Sequence, residues 1–466
     1  MTLAALLGFA STQNETEPQL DVFANNLINL MEMDMFGEIP DYTGKKKDLY
    51  ERRDRGELGD SDAFKTMDQI AAENGFKTES YNVTTEDGYI LGVWRIPGLV
   101  DEKEGETKKP PVLLQHGLEC DMMQWVFNRE SVAPAFVLAR AGYDVWMGNN
   151  RGNRFSQTHT TLDNTSKEYW TFDWEQMGTK DTPSVIDFIL DKTGHDQINY
   201  IGHSEGTTQI MAGASLLPQY YKEKMKLCVF LAPPAAMSNN SVGVLEFLAQ
   251  KPMRLLLLAL MDTIKLWNLL PYDYVNQEHV IFLCDLVNGK LCNMVMSVFA
   301  DADPSIDYTE RYDMYMSNLP SGASFRNFYH YAQNIDQKEQ VFHRLDYESA
   351  RGNLEVYGRS TPPDYDMSLI DFPIAILAGE KDLLADPKDV EWTYEQLKHT
   401  TVFYYMYYLG HMSFAIAKDM SWFTVDTMAL LNHYNDMCDE TTMGSNFALG
   451  EEACWGKVGN ESQFLH

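Results

Sequence analysis

The sequence predicts an α/β fold in which a mostly parallel β-sheet is flanked by helices and interrupted by one helical insertion. Short apolar runs such as PPVLLQHG (110–117) and YDVWMGN (143–149) alternate with helix-like segments such as DTPSVIDFILDKTG. This alternation is typical of buried parallel strands joined by crossover helices. Residues 235–370 lack strand-like runs and are rich in Met, Leu and aromatic residues. Strand-like runs return at 374–382 and 401–411.

The chain divides into three parts in this interpretation. Residues 1–60 join a short apolar start to an amphipathic piece and a charged stretch, and they predict an N-terminal arm with a solvated linker. The sheet domain is expected to comprise 61–234 and 371–466, with the insertion at 235–370 between them. Within the first half, KTESYNVTTEDGYILGVWRIP predicts a β-hairpin around EDG, and INYIGHS and LCVFLAPP predict two further strands.

Charge and hydropathy limit the partners of this chain. With 37 basic and 68 acidic residues the formal net charge is −31, so the surface should repel nucleic acid and anionic lipid headgroups. A high net negative charge keeps a protein soluble, and it also fits a protein that works in an acidic compartment. No stretch reaches the ~18 apolar residues of a membrane-spanning helix. The start, MTLAALLGFA, fits the apolar part of a secretory signal. It lacks the usual basic leader of such a signal, so an ordinary terminus fits it equally well.

The cysteine count leaves the redox compartment open. Six cysteines fit two disulfides plus two buried thiols in an oxidising compartment, and six reduced thiols fit equally well. Asn-X-Ser/Thr sequons favour secretion only slightly, because chance alone supplies a few. The cysteines are Cys120, Cys228, Cys284, Cys292, Cys438 and Cys454, and the sequons begin at Asn14, Asn82, Asn164, Asn239 and Asn460.

A candidate nucleophile lies at Ser204, in the motif Gly202-His203-Ser204-Glu205-Gly206. The motif matches G-x-S-x-G, in which the serine stands on a strained turn and the glycines let a strand and a helix pass closely. The strand-like INYI precedes the motif and the helix-like TTQIMAGASLL follows it. A coincidental turn is the alternative, because a lone G-x-S-x-G is common, but the flanking pattern favours a nucleophile.

A serine nucleophile needs a base, and the base needs an acid that orients it. In the fold that carries this motif the chain order is Ser, then Asp or Glu, then His. Asp382 ends the run IAILAGEKD and His411 follows the run YYMYYLG, so both stand where a sheet presents side chains to a site. A turn or a helix cap is the alternative role for Asp382, and a structural loop imidazole is the alternative for His411. The rival bases downstream are His399 and His433.

Backbone N–H groups that stabilise a tetrahedral oxyanion are the third requirement. LLQHGLEC places Leu118 directly after a strand, and Glu205 follows the nucleophile, so their N–H groups are the expected donors. The side chain of Glu205 is an acid where developing negative charge is unwelcome. We therefore expect its carboxyl group to be protonated through burial, or paired with a cation such as Arg151 or Arg154.

These motifs resemble those of the acid lipases, the α/β-hydrolases that include gastric lipase and lysosomal acid lipase. The resemblance runs from about residue 60 to about residue 435 and rests on VTTEDGYILGVWRIP, HGLECDMMQWV, AGYDVWMGNNRGNRFSQTH, GHSEGTTQ and AGEKDLLADPKDV. YMSNLPSGASFRNFYHYAQ (315–333) is similar to the family's cap sequence. The resemblance implies hydrolysis of triacylglycerols and cholesteryl esters. It also implies a triad of Ser204, Asp382 and His411, oxyanion donors at Leu118 and Glu205, and a cap with a lid at 235–370.

The chain departs from the family's pattern at several positions. The family usually has Gln at the position of Glu205, Asn at the position of Lys381 and an acidic residue at the position of Ser413. A further family cysteine is expected near Ala300. The triad is left whole, so we expect these changes to bear on the pH profile, the substrate preference and the turnover.

Two further expectations follow from the resemblance. Cys284 and Cys292 resemble the cap cysteines, which predicts a disulfide between them and, together with the sequons and the apolar start, glycosylation and a secretory route to the lysosome or the cell exterior. The segment EFLAQKPMRLLLLALMDTIKLWNLLP is the best candidate for an apolar lid surface, although such stripes are more often core.

We therefore expect a serine carboxylic-ester hydrolase that acts on neutral lipids at a lipid–water interface, with no metal and no organic cofactor. A small-ester hydrolase or an acyltransferase would use the same machinery, and the dependence of the rate on chain length would separate them. A member with a vestigial site, kept as a structural or interaction subunit, is the alternative from another class. Neither the preferred lipid nor the oligomeric state follows from the sequence.

Overall fold

The computed structural model of the chain describes residues 61–102, 108–272, 301 and 303–437. Several predictions lie outside the described residues. They concern the N-terminal arm with its apolar start, the Cys284–Cys292 disulfide, Ala300, Cys438, Cys454, Asn14 and Asn460.

The described residues contain eleven strands, nine of which form one central sheet. The strands are β1 (Glu79–Thr84), β2 (Tyr89–Ile96), β3 (Pro111–Gln115), β4 (Asp144–Met147), β5 (Thr158–His159), β6 (Ile198–His203), β7 (Met225–Leu231), β8 (Asn268–Leu269), β9 (Ala323–Ser324), β10 (Ile374–Gly379) and β11 (Thr401–Tyr407).

The α/β prediction is confirmed by the order and direction of these strands. The sheet runs β1-β2-β4-β3-β6-β7-β10-β11, and β5 pairs with β2 at the side. Neighbours from β4 to β11 are parallel, whereas β1, β2 and β4 pair antiparallel. Every residue of β3, β4, β6 and β10 is buried, as expected of parallel strands that are covered on both faces.

The predicted hairpin is also confirmed. β1 and β2 pair with Thr84 opposite Ile90. The Gly88 N–H donates to the Thr85 carbonyl oxygen at 3.0 Å, which closes the turn. Gly88 has a φ of 98°, a left-handed conformation that glycine adopts without the penalty of a Cβ atom.

Thirteen α-helices of at least four residues lie before, between and after the strands in the described residues. They are α1 (Met67–Glu73), α2 (Pro134–Arg140), α3 (Thr182–Thr193), α4 (Glu205–Leu216), α5 (Pro218–Lys224), α6 (Gly243–Ala249), α7 (Lys251–Ile264), α8 (Tyr312–Met316), α9 (Phe325–Ile335), α10 (Ala350–Tyr357), α11 (Pro387–Leu397), α12 (Ser413–Ile416) and α13 (Met428–Tyr434). The α3 helix is preceded by a short turn of α-helix, Trp174–Gln176, and a π-helical turn, Met177–Asp181.

The chain between β7 and β10 is mainly helical where it is described. It contains α6 to α10 and the short antiparallel pair of β8 and β9. β7 and β10 pair directly, with Cys228 opposite Ile374, so the chain leaves and re-enters the sheet at neighbouring strands. The α9 helix lies against α4, because the Tyr331 hydroxyl donates to Thr208 Oγ1 at 3.1 Å. No helix among the described residues combines the length and the apolar character needed to cross a membrane.

Candidate active site

Ser204 stands at the turn between β6 and α4. Its φ of 52° and ψ of −119° are strained for a residue with a side chain, and the turn is held by a 2.9 Å hydrogen bond from the Ser204 N–H to the Leu231 carbonyl oxygen. The two motif glycines are explained by crowding. A Cβ atom on Gly202 would come within 2.8 Å of the Gly206 backbone, and one on Gly206 would come within 2.5 Å of the Gln115 carbonyl oxygen.

The structure brings Ser204, His411 and Asp382 into one hydrogen-bonded chain. His411 Nε2 lies 2.8 Å from Ser204 Oγ, and His411 Nδ1 lies 2.8 Å from Asp382 Oδ2. All three side chains are buried. They follow the carboxyl ends of β6, β11 and β10, which meet at one edge of a parallel sheet.

Asp382 serves both as an acceptor for the turn that follows it and as the partner of His411, and the two rival histidines make other contacts. Asp382 Oδ1 accepts the N–H groups of Leu384 and Ala385 at 2.8 Å each, so Oδ2 is left to face the imidazole. His399 instead contacts the Ile370 carbonyl oxygen, and His433 lies on α13 with its ring against Tyr434. Ser204, Asp382 and His411 follow one another in that order along the sequence, and in the structure His411 joins the other two by hydrogen bonds.

The expected oxyanion donors lie on two segments that meet at Ser204. A Cβ atom on Gly117 would come 3.1 Å from Ser204 Cβ, so the turn that carries Leu118 passes directly beside the nucleophile. Neither the Leu118 N–H nor the Glu205 N–H has a hydrogen-bond acceptor among the residues that the structure describes. His116 anchors this turn, because its Nε2 atom accepts the Asn150 N–H at 3.0 Å.

The carboxyl group of Glu205 is buried between two asparagine side chains. Asn150 Nδ2 donates to Oε1 at 3.0 Å, and Asn327 Nδ2, from α9, donates to Oε2. Burial raises the pKa of Glu205 to about 7, although these two hydrogen bonds partly offset the effect. Both amides are fixed in orientation, since Asn150 Oδ1 accepts from Gln115 and Asn327 Oδ1 accepts the Trp174 N–H. The pocket therefore presents two N–H donors to this carboxyl group.

The predicted alternative, a cationic partner for this carboxyl group, differs from what the structure shows. Arg151 donates to Asp181 at 2.9 Å and to Asp87 at 2.8 Å. Arg154 pairs with Asp121 at 2.8 Å. Both guanidinium groups are thus already engaged by other carboxylates, and protonation through burial is the alternative that fits the surroundings.

Several residues around the site carry no motif that would have revealed them. Asn327 and the Ser321–Gly322 pair lie in the segment that resembles a cap sequence, which marks a region but no role. The Ser321 N–H donates to the Glu119 carbonyl oxygen at 2.8 Å, and the Gly322 N–H donates to the Glu119 carboxyl group at 2.9 Å. These contacts tie the insertion to the turn that carries the oxyanion donor. Asp301, beside the His411 loop, is equally unmarked in the sequence.

The chemistry that this arrangement supports is nucleophilic catalysis. A serine hydroxyl, an imidazole and a carboxylate in sequence allow proton removal from the hydroxyl as it attacks a carbonyl carbon. In the part of the chain that the structure describes, no group of three or more His, Cys, Asp or Glu side chains is placed to hold a metal ion.

Comparison with known proteins finds matching family models and similar lipases. One family model, described as a partial alpha/beta-hydrolase lipase region, matches residues 67–129, and another, described as alpha/beta hydrolase fold, matches residues 110–273. Gastric triacylglycerol lipase of Rattus norvegicus is 34% identical over 364 residues, which is 78% of this chain and 90% of the relative. Lipase member K of Homo sapiens is 33% identical over 380 residues, 80% of this chain and 91% of the relative.

Solved structures agree on the fold. A candidate lipase from Sulfolobus solfataricus matches 78% of this chain and 95% of its own length, with a TM-score of 0.51 and 13% sequence identity. At that identity the likeness concerns the fold alone.

Proposed function

The chain belongs to the acid lipase family of α/β-hydrolases and is a carboxylic-ester hydrolase of lipid esters, and from this premise we propose that it cleaves neutral lipids through Ser204, His411 and Asp382. Triacylglycerols, sterol esters or both are the proposed substrates. The observation that carries the proposal is the continuous hydrogen-bonded chain from Ser204 Oγ through His411 to Asp382, with 2.8 Å at each step.

The proposed reaction proceeds through an acyl-enzyme. Ser204 Oγ attacks the ester carbonyl carbon while His411 Nε2 takes the hydroxyl proton, and Asp382 stabilises the imidazolium that forms. The N–H groups of Leu118 and Glu205 stabilise the tetrahedral oxyanion. Collapse breaks the bond to the alcohol oxygen, which receives the proton from Nε2. Water, deprotonated by the same imidazole, then attacks the acyl-enzyme and releases the fatty acid and the free serine.

Residues 235–370 are proposed to act as a cap whose α7 helix meets the lipid. Four apolar side chains of α7 are exposed, with Leu256 at 52% and Ile264 at 54% and Leu255 and Leu260 between a third and a half. Exposed apolar patches of this kind favour an interface with lipid. The net charge of −31 opposes binding to anionic headgroups, so a droplet of neutral lipid is the surface that fits both properties.

A secretory or lysosomal location is part of the same proposal. Asn82 and Asn164 are exposed sequon asparagines, whereas Asn239 is half-buried and its side chain donates to Asp389 at 2.7 Å. Cys120 and Cys228 are buried free thiols. Peptide mapping of the natural protein should find glycan on an exposed sequon and a bridge at the two cap cysteines. Free thiols at both cap positions and no glycan would contradict the location.

The alternatives make different predictions for chain length and for labelling. A small-ester hydrolase or acyltransferase would label with a fluorophosphonate but would lose rate as the acyl chain lengthens, or would transfer the acyl group to an alcohol. A structural subunit with a vestigial site would not label. The close contacts of all three triad groups favour a competent site over a vestigial one.

The test combines labelling with a series of emulsified triacylglycerols. Fluorophosphonate should attach to Ser204 in the wild type, and hydrolysis should extend to long acyl chains. Ser204→Ala should lose both, while Ser215→Ala, a change at another buried serine of α4, should keep both. Absence of labelling in a folded wild-type chain would contradict the proposal, and hydrolysis confined to short soluble esters would contradict its lipid part.

A further inference from the structure

The loop that carries His411 is held from outside by a residue from the middle of the insertion. This His411 loop, Gly410–Ser413, joins β11 to α12. On its inner side the His411 carbonyl oxygen lies 2.9 Å from His203 Nε2. Within the loop, the Gly410 N–H donates to Ser413 Oγ at 3.0 Å. On its outer side it contacts Asp301, a residue of the insertion itself.

Asp301 contacts both the base and the acid of the proposed triad. Its Oδ1 atom accepts the Met412 N–H at 3.0 Å, one residue after His411. Its backbone forms an isolated antiparallel β-bridge with the backbone of Asp382. A Cβ atom added to Gly410 would come 2.2 Å from Asp301 Oδ1, so the carboxyl group lies directly on the loop. The side chain is fully buried.

The segment that follows Asp301 continues the same attachment. The Tyr308 N–H donates to the Ile416 carbonyl oxygen at 2.9 Å, and the Lys418 N–H donates to the Ile306 carbonyl oxygen at 2.9 Å. Residues 301 and 303–308 therefore lie along the His411 loop and α12. Its first contact, at Asp301, is the one nearest the catalytic pair.

We propose that Asp301 is a positioning residue for the catalytic pair, with its carboxyl group fixing the backbone of the His411 loop and its own backbone fixing Asp382. The inference rests on the proposed function of Ser204, His411 and Asp382. Asp301 touches no reacting atom. It acts through the loop, and it ties the geometry of the triad to the insertion.

What the loop needs from Asp301 is a hydrogen-bond acceptor. Burial, with the nearby Asp307 charge, raises the pKa of Asp301, and hydrogen bonds from the backbone of Met412 and His411 only partly offset this. A neutral amide of the same shape can supply the same acceptor. Alanine cannot, and it leaves the Met412 N–H buried without a partner. A displacement of a catalytic group by about 1 Å can lower the rate by about a hundredfold.

Three variants test the proposal on a soluble ester, and all are compared at the same pH. Asp301→Ala should lower kcat and the rate of fluorophosphonate labelling by about 10- to 100-fold and leave KM within about twofold, because substrate contacts are unchanged. Asp301→Asn should restore both rates to within about threefold of wild type. Asp303→Asn is the matched control, because Asp303 lies on the same segment but its carboxylate contacts Ser305 and Tyr408; it should leave kcat unchanged.

Each outcome decides between positioning and plain structural support. A folded Asp301→Ala variant with wild-type kcat overturns the proposal, and so does an Asp301→Asn variant as slow as Asp301→Ala. Should Asp301→Ala fail to fold, Asp301→Glu serves in its place, because it moves the acceptor by one methylene; it should lower kcat without raising KM, and a normal kcat overturns the proposal. If the wild type itself neither labels nor hydrolyses esters, the proposed function fails, which is a distinct result.

Discussion

Replacing Glu205 by Gln should remove a loss of activity at alkaline pH. Burial raises the pKa of Glu205 to about 7, so the carboxyl group is neutral below that pH and charged above it. A carboxylate ~7 Å from the oxyanion, at an effective dielectric constant of ~20, opposes it by about 2 kcal/mol, or roughly thirtyfold in rate. Wild-type kcat/KM should therefore fall as the pH rises through 7. The variant should lack this fall.

The same substitution should change the free energy of unfolding in opposite directions at the two ends of the pH range. The folded-state pKa of Glu205 lies above its ordinary value of 4.5, so the native state binds the proton more tightly than the unfolded chain. Stability is therefore lost as the pH rises from 4.5 through 7, by about 3 kcal/mol in all. Gln escapes that loss but must place an amide nitrogen against the N–H₂ group of Asn150 or Asn327, which costs about 1 kcal/mol.

The variant should therefore be more stable than wild type by about 2 kcal/mol above pH 8, and less stable by about 1 kcal/mol below pH 5. The assays are kcat/KM on a soluble ester from about pH 4 to about pH 9, and urea unfolding at both ends of that range. Glu355→Gln, a change at an exposed ion pair with Arg351, is the matched control and should move neither curve. Superimposable pH profiles for wild type and Glu205→Gln, or a stability difference that does not change sign, would refute the reasoning.

Three other outcomes are expected. Ser204→Ala should lower kcat by several orders of magnitude, as loss of a triad nucleophile does elsewhere, while the melting temperature stays that of wild type; full activity in a folded variant would contradict the triad. Leu256→Asp should reduce hydrolysis of emulsified triacylglycerol several-fold but leave a soluble ester unaffected, because Leu256 is 52% exposed on α7; equal losses on both substrates would point to a folding defect. Mass spectrometry should find glycan at Asn82 or Asn164, which are exposed, rather than at Asn239, which is half-buried against Asp389; glycan at Asn239 alone would contradict this ordering.

The sheet and its strand ends could be predicted because both depend on local patterns. Apolar runs of strand length identify β3, β4, β6 and β10, and the residue that follows such a run stands at the carboxyl edge of the sheet. Ser204 directly follows β6 and is recognisable for that reason. Asp382 and His411 lie three and four residues beyond the ends of their strands, so they need one further argument, the chain order Ser, Asp, His.

The surroundings of the site depend on contacts between distant segments, which no local pattern encodes. Asn150 and Asn327 reach Glu205 from positions 55 and 122 residues away along the chain. Asparagine is common in loops and at helix starts, so neither residue stands out in the sequence. The sequence does raise the question of how an acid is accommodated beside an oxyanion. The answer, burial against two amides rather than a cation, requires the packing of α9 against α4.

Because β7 and β10 pair directly, the insertion begins and ends at neighbouring points of the sheet. A cap taken from another hydrolase can be grafted between these two strands without stretching the sheet, since the entropy of closing a loop grows only slowly with its length. Chimeras of this kind offer a route to new acyl specificities on an unchanged catalytic core. A graft that ends before Asp301 would keep the native acceptor for the Met412 N–H, and a longer graft would have to supply an acceptor of its own.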